Sequence, residues 1–357
     1  MLAPVEEGWK DASELVIVAE GPLGQLPFSV FLTSPFKLAK KEKLLFSNYR
    51  KAPWLIRKVS ITRQPSVSSF VSIRALPAGD AKRKAFVGFG DPLFNRQQLA
   101  QTEKEKVGPT GTLSSNKERV YVRGIRITQT GSLDSEKITT SHIGMLNRLP
   151  DTAEEIRSIA HATGADLEQD IFLGKDASEH QVKTMVLADR RIVAFATHAL
   201  VPGDLDGLSQ PAIALCSPTI TGENEDGLLT LDEILKLKLN ADWVILSACN
   251  TGAADGAGAE AASGLGRAFF YAGTRAILVS MWPVETSSAR KLTTGLFQYQ
   301  KEDSKLTRAK VLQKSMIDLI DSPGLKDNDI GKIVTSYAHP LFWATFIIVG
   351  ESSRDAY

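Results

Sequence analysis

Apolar and polar positions change rhythm along this chain, and from residue 150 onward they do so regularly. Asp151-Thr-Ala-Glu-Glu155 reads as a helix start with Asp151 as N-cap and acids in the first turn; Ile156, Ile159 and Ala160 share one face, and Gly164 closes the helix. Short, mostly apolar runs follow, each read as a strand: 170–174, Arg191 to His198, Trp243 to Leu246, Arg275 to Ser280 and Phe346 to Gly350. Helical patterns separate them at 177–187, 229–235, 260–272, 287–299 and 306–319. A further apolar run, Pro211 to Cys216, belongs to a crossover or an edge. Strand alternating with helix in this way predicts a mostly parallel sheet with helices on both faces.

The first part of the chain breaks that alternation. Leu15–Val18 and Leu26–Leu32 read as strands around the turn Gly21-Pro-Leu-Gly24, and Trp54 to Thr62 continues in that vein. Pro65 to Phe70 reads as a turn entering a short helix. A composition break at 77–84 precedes the strand Ala85 to Gly90, which Asp91 and Pro92 stop. The boundary is placed near residue 82: residues 1–82 are an accessory region and 83–357 the main domain. The polar, weakly patterned stretch 95–148 is an insertion, with a short charged helix at 97–106.

Composition narrows the function. Forty-two basic residues against 41 acidic ones give the chain no global pull toward nucleic acid or an anionic membrane surface. No apolar run approaches the ~20 residues a membrane helix needs, and the first residues lack the form of a secretory signal. Two cysteines form no disulfide framework, and with five scattered histidines they form no zinc-type cluster. The reading is a cytoplasmic protein in a reducing compartment, with no metal and no cofactor.

Two strand ends carry reactive side chains. His198 ends one core strand and Cys249 follows the next, 51 residues on. In open parallel sheets chemistry sits beyond the carboxyl ends of the strands. A thiol needs a base to become a nucleophile, and an imidazole on the neighbouring tip supplies one. Taken singly, His198 reads as a core histidine and Cys249 as a buried structural cysteine; the pair at matched strand ends favours chemistry. Backbone N–H groups of Ala199 and Cys249 could form an oxyanion site. Cys216 reads as packing, and His339-Pro340 as structural.

The stretches Ala194-Phe-Ala-Thr-His198-Ala, Leu229-Thr-Leu-Asp-Glu-Ile, Leu246-Ser-Ala-Cys249-Asn-Thr-Gly252, Gly264 to Gly273, Val279-Ser-Met-Trp282-Pro-Val and His339 to Phe346 come in an order that resembles the CHAT domain. Upstream, Glu20 to Phe28, Pro65-Ser66, Gly90 to Phe94 and Leu149 to Glu155 also match, so the resemblance covers nearly the whole chain. It implies a caspase-like three-layer α/β/α sandwich of the cysteine-endopeptidase clan that includes caspases and separase. The family's histidine falls on His198 and its cysteine on Cys249. Many relatives carry Gly where this chain has Ala199, and the caspase signature Gln-Ala-Cys-x-Gly is replaced by Ser-Ala-Cys-Asn-Thr-Gly. The resemblance also makes Asp91 a specificity acid for a basic P1 residue and lines the substrate cleft with Trp282; for these two, an ordinary Asp-Pro turn and core packing are the bland readings. It implies a bacterial origin and a TPR-repeat sensor, either in a longer protein of which this chain is a fragment or in a separate regulatory partner. The expected activity is hydrolysis of a protein or peptide substrate through a thioester acyl-enzyme. The alternatives are a catalytically silent caspase-fold module for protein interaction and, further off, a thiol acyltransferase.

Overall fold

A computed structural model of the chain describes residues 2–19, 21–39, 41–77, 79–107, 143–247, 257–282, 284–326 and 331–352. Its strands in chain order are β1 (Glu14–Val18), β2 (Ser60–Gln64), β3 (Val87–Gly90), β4 (Ile171–Leu173) and β5 (Ile192–Ala196). Then come β6 (Ala199–Leu200), β7 (Ala212–Ala214), β8 (Leu228–Thr230), β9 (Trp243–Leu246) and β10 (Ala276–Ser280). The last are β11 (Leu325–Lys326), β12 (Ile333–Thr335) and β13 (Phe346–Gly350). By its internal contacts the chain divides into two units, residues 79–286 and residues 1–78 with 287–357. The reading from sequence keeps 83–357 together, whereas these contacts group 287–357 with the N-terminal segment.

In the unit 79–286 five strands run parallel in the order β10-β9-β5-β3-β4. Their apolar runs leave nothing polar to solvate, which suits strands covered on both faces. On one face Val87, Phe89, Val193, Phe195, Val244, Leu246 and Ile277 meet Leu265, Ala268 and Phe269 of the helix Ala257–Ala272. Phe172, Phe89 and Phe195 stack across β4, β3 and β5 with ring centroids 5.3 Å apart at each step. Phe89 and Phe195, both fully buried, each contribute about 1.5–3 kcal/mol relative to exposure. The other face carries the helix Asp151–Thr163, whose Ile156 comes so close to β3 that only glycine fits at 88 and 90. The three-layer arrangement therefore forms as expected.

A small antiparallel sheet, β6-β7-β8, caps the carboxyl end of β5. It takes up the Pro211–Cys216 run, so that β5 and β9 pair directly. Its apolar side packs Leu200, Ala212, Ala214 and Leu228 with Phe94, Ile143 and Leu146. Ends of the expected insertion are thereby fixed: Arg96–Val107 is helical, and 143–149 lies against this small core. The helix at 151 starts differently from the reading above. Pro150 occupies the N-cap and Asp151 the first turn, while Gly164 ends the helix at φ 72° as expected.

In the other unit β1, β2 and β13 run parallel, with Glu14 opposite Ser60 and Val349 opposite Arg63. The helix Arg308–Asp321, capped by the Thr307 hydroxyl, ties to the segment before β2 through Gln313 Nε2 and the Ile56 carbonyl. The strand expected at 26–32 does not form. Gly21–Gln25 and Phe28–Val30 are 3-10 turns instead. Pro22 and Pro27 remove donors a ladder would use, Phe28 and Phe31 turn edge to face at 5.0 Å, and Leu32 keeps only an isolated bridge to Trp54. Likewise Leu55–Lys58 is a single helical turn before β2.

Candidate active site

His198 stands two residues beyond the end of β5, where the chain leaves the parallel sheet and enters β6. The turn is held by Thr197 Oγ1, which donates to the Ala214 carbonyl at 2.7 Å, and by the Ala214 N–H, which donates to the His198 carbonyl at 2.9 Å. The imidazole is 6% exposed and lies against Phe94, with ring centroids 5.6 Å apart. Its Nε2 is 2.8 Å from the main-chain carbonyl of Asn147. A carbonyl only accepts, so Nε2 carries a proton, and in the neutral ring Nδ1 is the basic nitrogen. Asn147 completes this arrangement through its backbone, which no side-chain pattern could have signalled.

The main chain after His198 has a second feature. His198 and Ala214 form a hydrogen-bonded pair in the antiparallel ladder, so the next pair, Ala199 with Ile213, is of the non-hydrogen-bonded kind. The Ala199 N–H thus points away from β7, as an oxyanion donor requires.

Asp91 ends β3, the strand beside β5, with Gly90 opposite Ala196. It is 5% exposed and takes a left-handed backbone, φ 49°, which a non-glycine residue holds at a cost. Its N–H donates to Thr152 Oγ1 at 2.7 Å. Both carboxylate oxygens accept from Arg148, from Nε at 2.9 Å and a terminal nitrogen at 2.8 Å. Burial pushes the Asp91 carboxyl above the ordinary carboxylate range, and the Arg148 hydrogen bonds and charge pull it back. Arg148 also reaches Glu105 at 3.1 Å. A basic P1 side chain would have to replace Arg148 on this acid.

Trp282 lies half-buried two residues past β10. Cys249, with Asn250 and Gly252, lies outside the described residues. Cys216 is placed at the edge of the small sheet, 2% exposed, with its N–H donating to the Ala177 carbonyl. Burial pushes its thiol up to about 12, so it stays protonated and unreactive near neutral pH. His339 is a structural residue: its Nδ1 accepts the Leu341 N–H at 3.1 Å and caps the turn Pro340–Trp343. Among the described residues Glu179, Glu225 and Glu233 are near enough to one another to share a metal ion. The Lys183 ammonium holds the middle of that group, at 3.1, 2.7 and 2.9 Å from the three carboxylates.

The model of one protein family, the CHAT domain, matches residues 1–351. No curated protein matches the chain in sequence. Among solved structures, the separase–securin complex of Saccharomyces cerevisiae is similar at a TM-score of 0.39 and 13% identity over 82% of this chain. The chain spans 14% of the chain it matches there.

Proposed function

This chain belongs to the CHAT domain family, a caspase-like peptidase family, and from that premise we propose that it is a cysteine endopeptidase working through His198 and Cys249. The observation that carries the reading is the strand order: β5 and β9 are adjacent and parallel with Phe195 opposite Leu246. In sequence His198 and Cys249 each follow that pair by three positions.

In the proposed reaction Nδ1 of His198 takes the proton of the Cys249 thiol while Nε2–H stays on the Asn147 carbonyl. The thiolate sulfur bonds to the scissile carbonyl carbon, and the carbonyl π pair moves onto oxygen, where the N–H groups of Ala199 and Cys249 receive it. Collapse of the tetrahedral adduct breaks the C–N bond, and the imidazolium proton leaves with the amine. Water then gives a proton to His198 and its oxygen to the thioester; the C–S bond breaks, and the free acid and the thiol are restored. No step calls for a metal or a cofactor. Trp282 borders the substrate cleft in this scheme. A cysteine nucleophile suits a reducing compartment, in keeping with a cytoplasmic protein, and in this reading control rests with a sensor region or partner of the TPR kind.

An electrophilic peptide probe tests this. Wild-type protein is expected to label, Cys216→Ala to label equally, and Cys249→Ala not at all. Labelling that survives Cys249→Ala, or a wild type that labels neither alone nor in extract of its source cells, overturns the proposal.

A further inference from the structure

We propose that Asp91 and Arg148 are positioning residues that hold the Asn147 carbonyl against His198, with Gln98 as the second half of the clamp. The proposal rests on the peptidase reading for its use of His198, and it assigns Asp91 a role other than reading the substrate.

The geometry is a bracket around one peptide unit. On one side of Asn147, the Leu146 carbonyl accepts from Gln98 Nε2 at 2.8 Å; Gln98 is itself fixed, with its Oε1 accepting the Phe94 N–H at 2.8 Å. On the other side, Arg148 is bound to Asp91 through two parallel hydrogen bonds, the arrangement that constrains a guanidinium most. Asn95 adds a third tie, its Nδ2 donating to the Gly144 carbonyl at 2.8 Å. Asp91, Asn95 and Gln98 all lie on the segment leaving β3, and β3 is the sheet neighbour of β5. The same segment supplies Phe94, whose ring packs on the imidazole. One stretch, 91–98, therefore sets both the face of His198 and the acceptor at its Nε2. Asn147 itself is exposed, so packing of its own side chain does not hold that carbonyl in place.

The position of Asp91 fits this role. Its left-handed backbone is fixed from the other side by Thr152, whose hydroxyl accepts the Asp91 N–H and donates to the Leu149 carbonyl at 2.7 Å. Asp91 is thus tied directly to residues 148 and 152, and through the Thr152 hydroxyl to 149. Such over-determination is what keeps a strained residue in place, and its effect here is to lock the path of 146–149 relative to the end of β3. Without the bracket the Asn147 carbonyl would wander, and the imidazole would lose the acceptor that favours the Nε2–H tautomer.

The test reads the ring directly. In protein labelled with 15N-histidine, His198 is assigned among the five histidines by the signal lost in His198→Gln. Wild type is expected to show a protonated Nε2 and an acceptor Nδ1. Arg148→Ala is expected to give averaged signals from mixed tautomers, and Arg148→Lys, which keeps the charge but not the two parallel hydrogen bonds, to restore only part of the wild-type pattern. In parallel, alkylation of Cys249 by iodoacetamide should slow by up to ~10²-fold in Arg148→Ala, the size of effect that small misplacements produce. Cleavage should fall alike for basic and neutral P1 residues. If Arg148→Ala does not fold, Gln98→Met removes the other half of the clamp and is read in the same way. A wild-type tautomer pattern in the folded variant overturns the proposal, as does a loss confined to basic P1 substrates. The ring signals need no turnover: a wild type that never labels at Cys249 but shows these shifts sinks the peptidase reading and leaves the clamp standing.

Discussion

Two histidines of this chain are fixed by the backbone in opposite senses. His339 commits its acceptor: Nδ1 takes the Leu341 N–H, and the ring is wedged between Phe46 and Tyr49 with centroids 4.5 and 4.6 Å away. His198 commits its donor, with Nε2–H on the Asn147 carbonyl. The same residue type in the same tautomer is a helix cap in one place and, in the proposed reaction, a base in the other. What separates them is which nitrogen the main chain engages. Ring packing does not separate them, since both lie against aromatic rings.

The largest expected difference is in reactivity. His198→Ala should slow labelling of Cys249 by ~10²–10⁴-fold, the range for loss of a general base. His339→Ala should leave the rate per folded molecule unchanged. Measuring both against the same probe breaks the comparison if the two variants lose rate to a similar extent.

A second measurement sharpens it through packing. The His198 side depends on close approach: a Cβ on Gly90 would lie 2.9 Å from Ile156 and 3.1 Å from the Thr152 carbonyl. Gly90→Ala should therefore push the helix Asp151–Thr163 off β3 and cost about 1–3 kcal/mol, the usual range for overpacking. Because Thr152 also holds Asp91, labelling should slow as well. A urea midpoint within error of wild type would show that the approach is looser than this.

Much of this was legible in the sequence, for physical reasons that can be named. Buried parallel strands are continuous apolar runs, so Ile192–Ala196, Trp243–Leu246 and Ala276–Ser280 stood out. The stretch 26–32 looked alike and is not a strand, because its prolines and paired phenylalanines satisfy it locally. His198 could be read because strand ends are where side chains become available. The clamp could not. Arg148 finds Asp91 across 57 residues, from the far edge of a polar insertion, and Asn147 acts through a group every residue possesses. The sequence reading singled out Asp91 as an acid at a strand exit; the partner that engages both its oxygens became visible only in three dimensions.

The smallest effect concerns His339 alone. Burial lowers its pKa below the ordinary value, which favours the neutral ring that the cap requires. The native state then binds fewer protons than the unfolded chain in the window between its folded value and the ordinary ~6.5, so stability rises with pH across that window. Its contribution is present above pH ~6.5 and is lost as pH falls through the folded value. His339→Asn keeps a capping acceptor without a titrating group and should flatten that slope, whereas His339→Ala should cost about 1 kcal/mol at neutral pH for the missing cap. Urea midpoints at two pH values on either side of the window decide it. An equal slope in wild type and His339→Asn would mean that protonation does not break the Nδ1 cap. In that case the two histidines would differ less than their hydrogen bonds indicate.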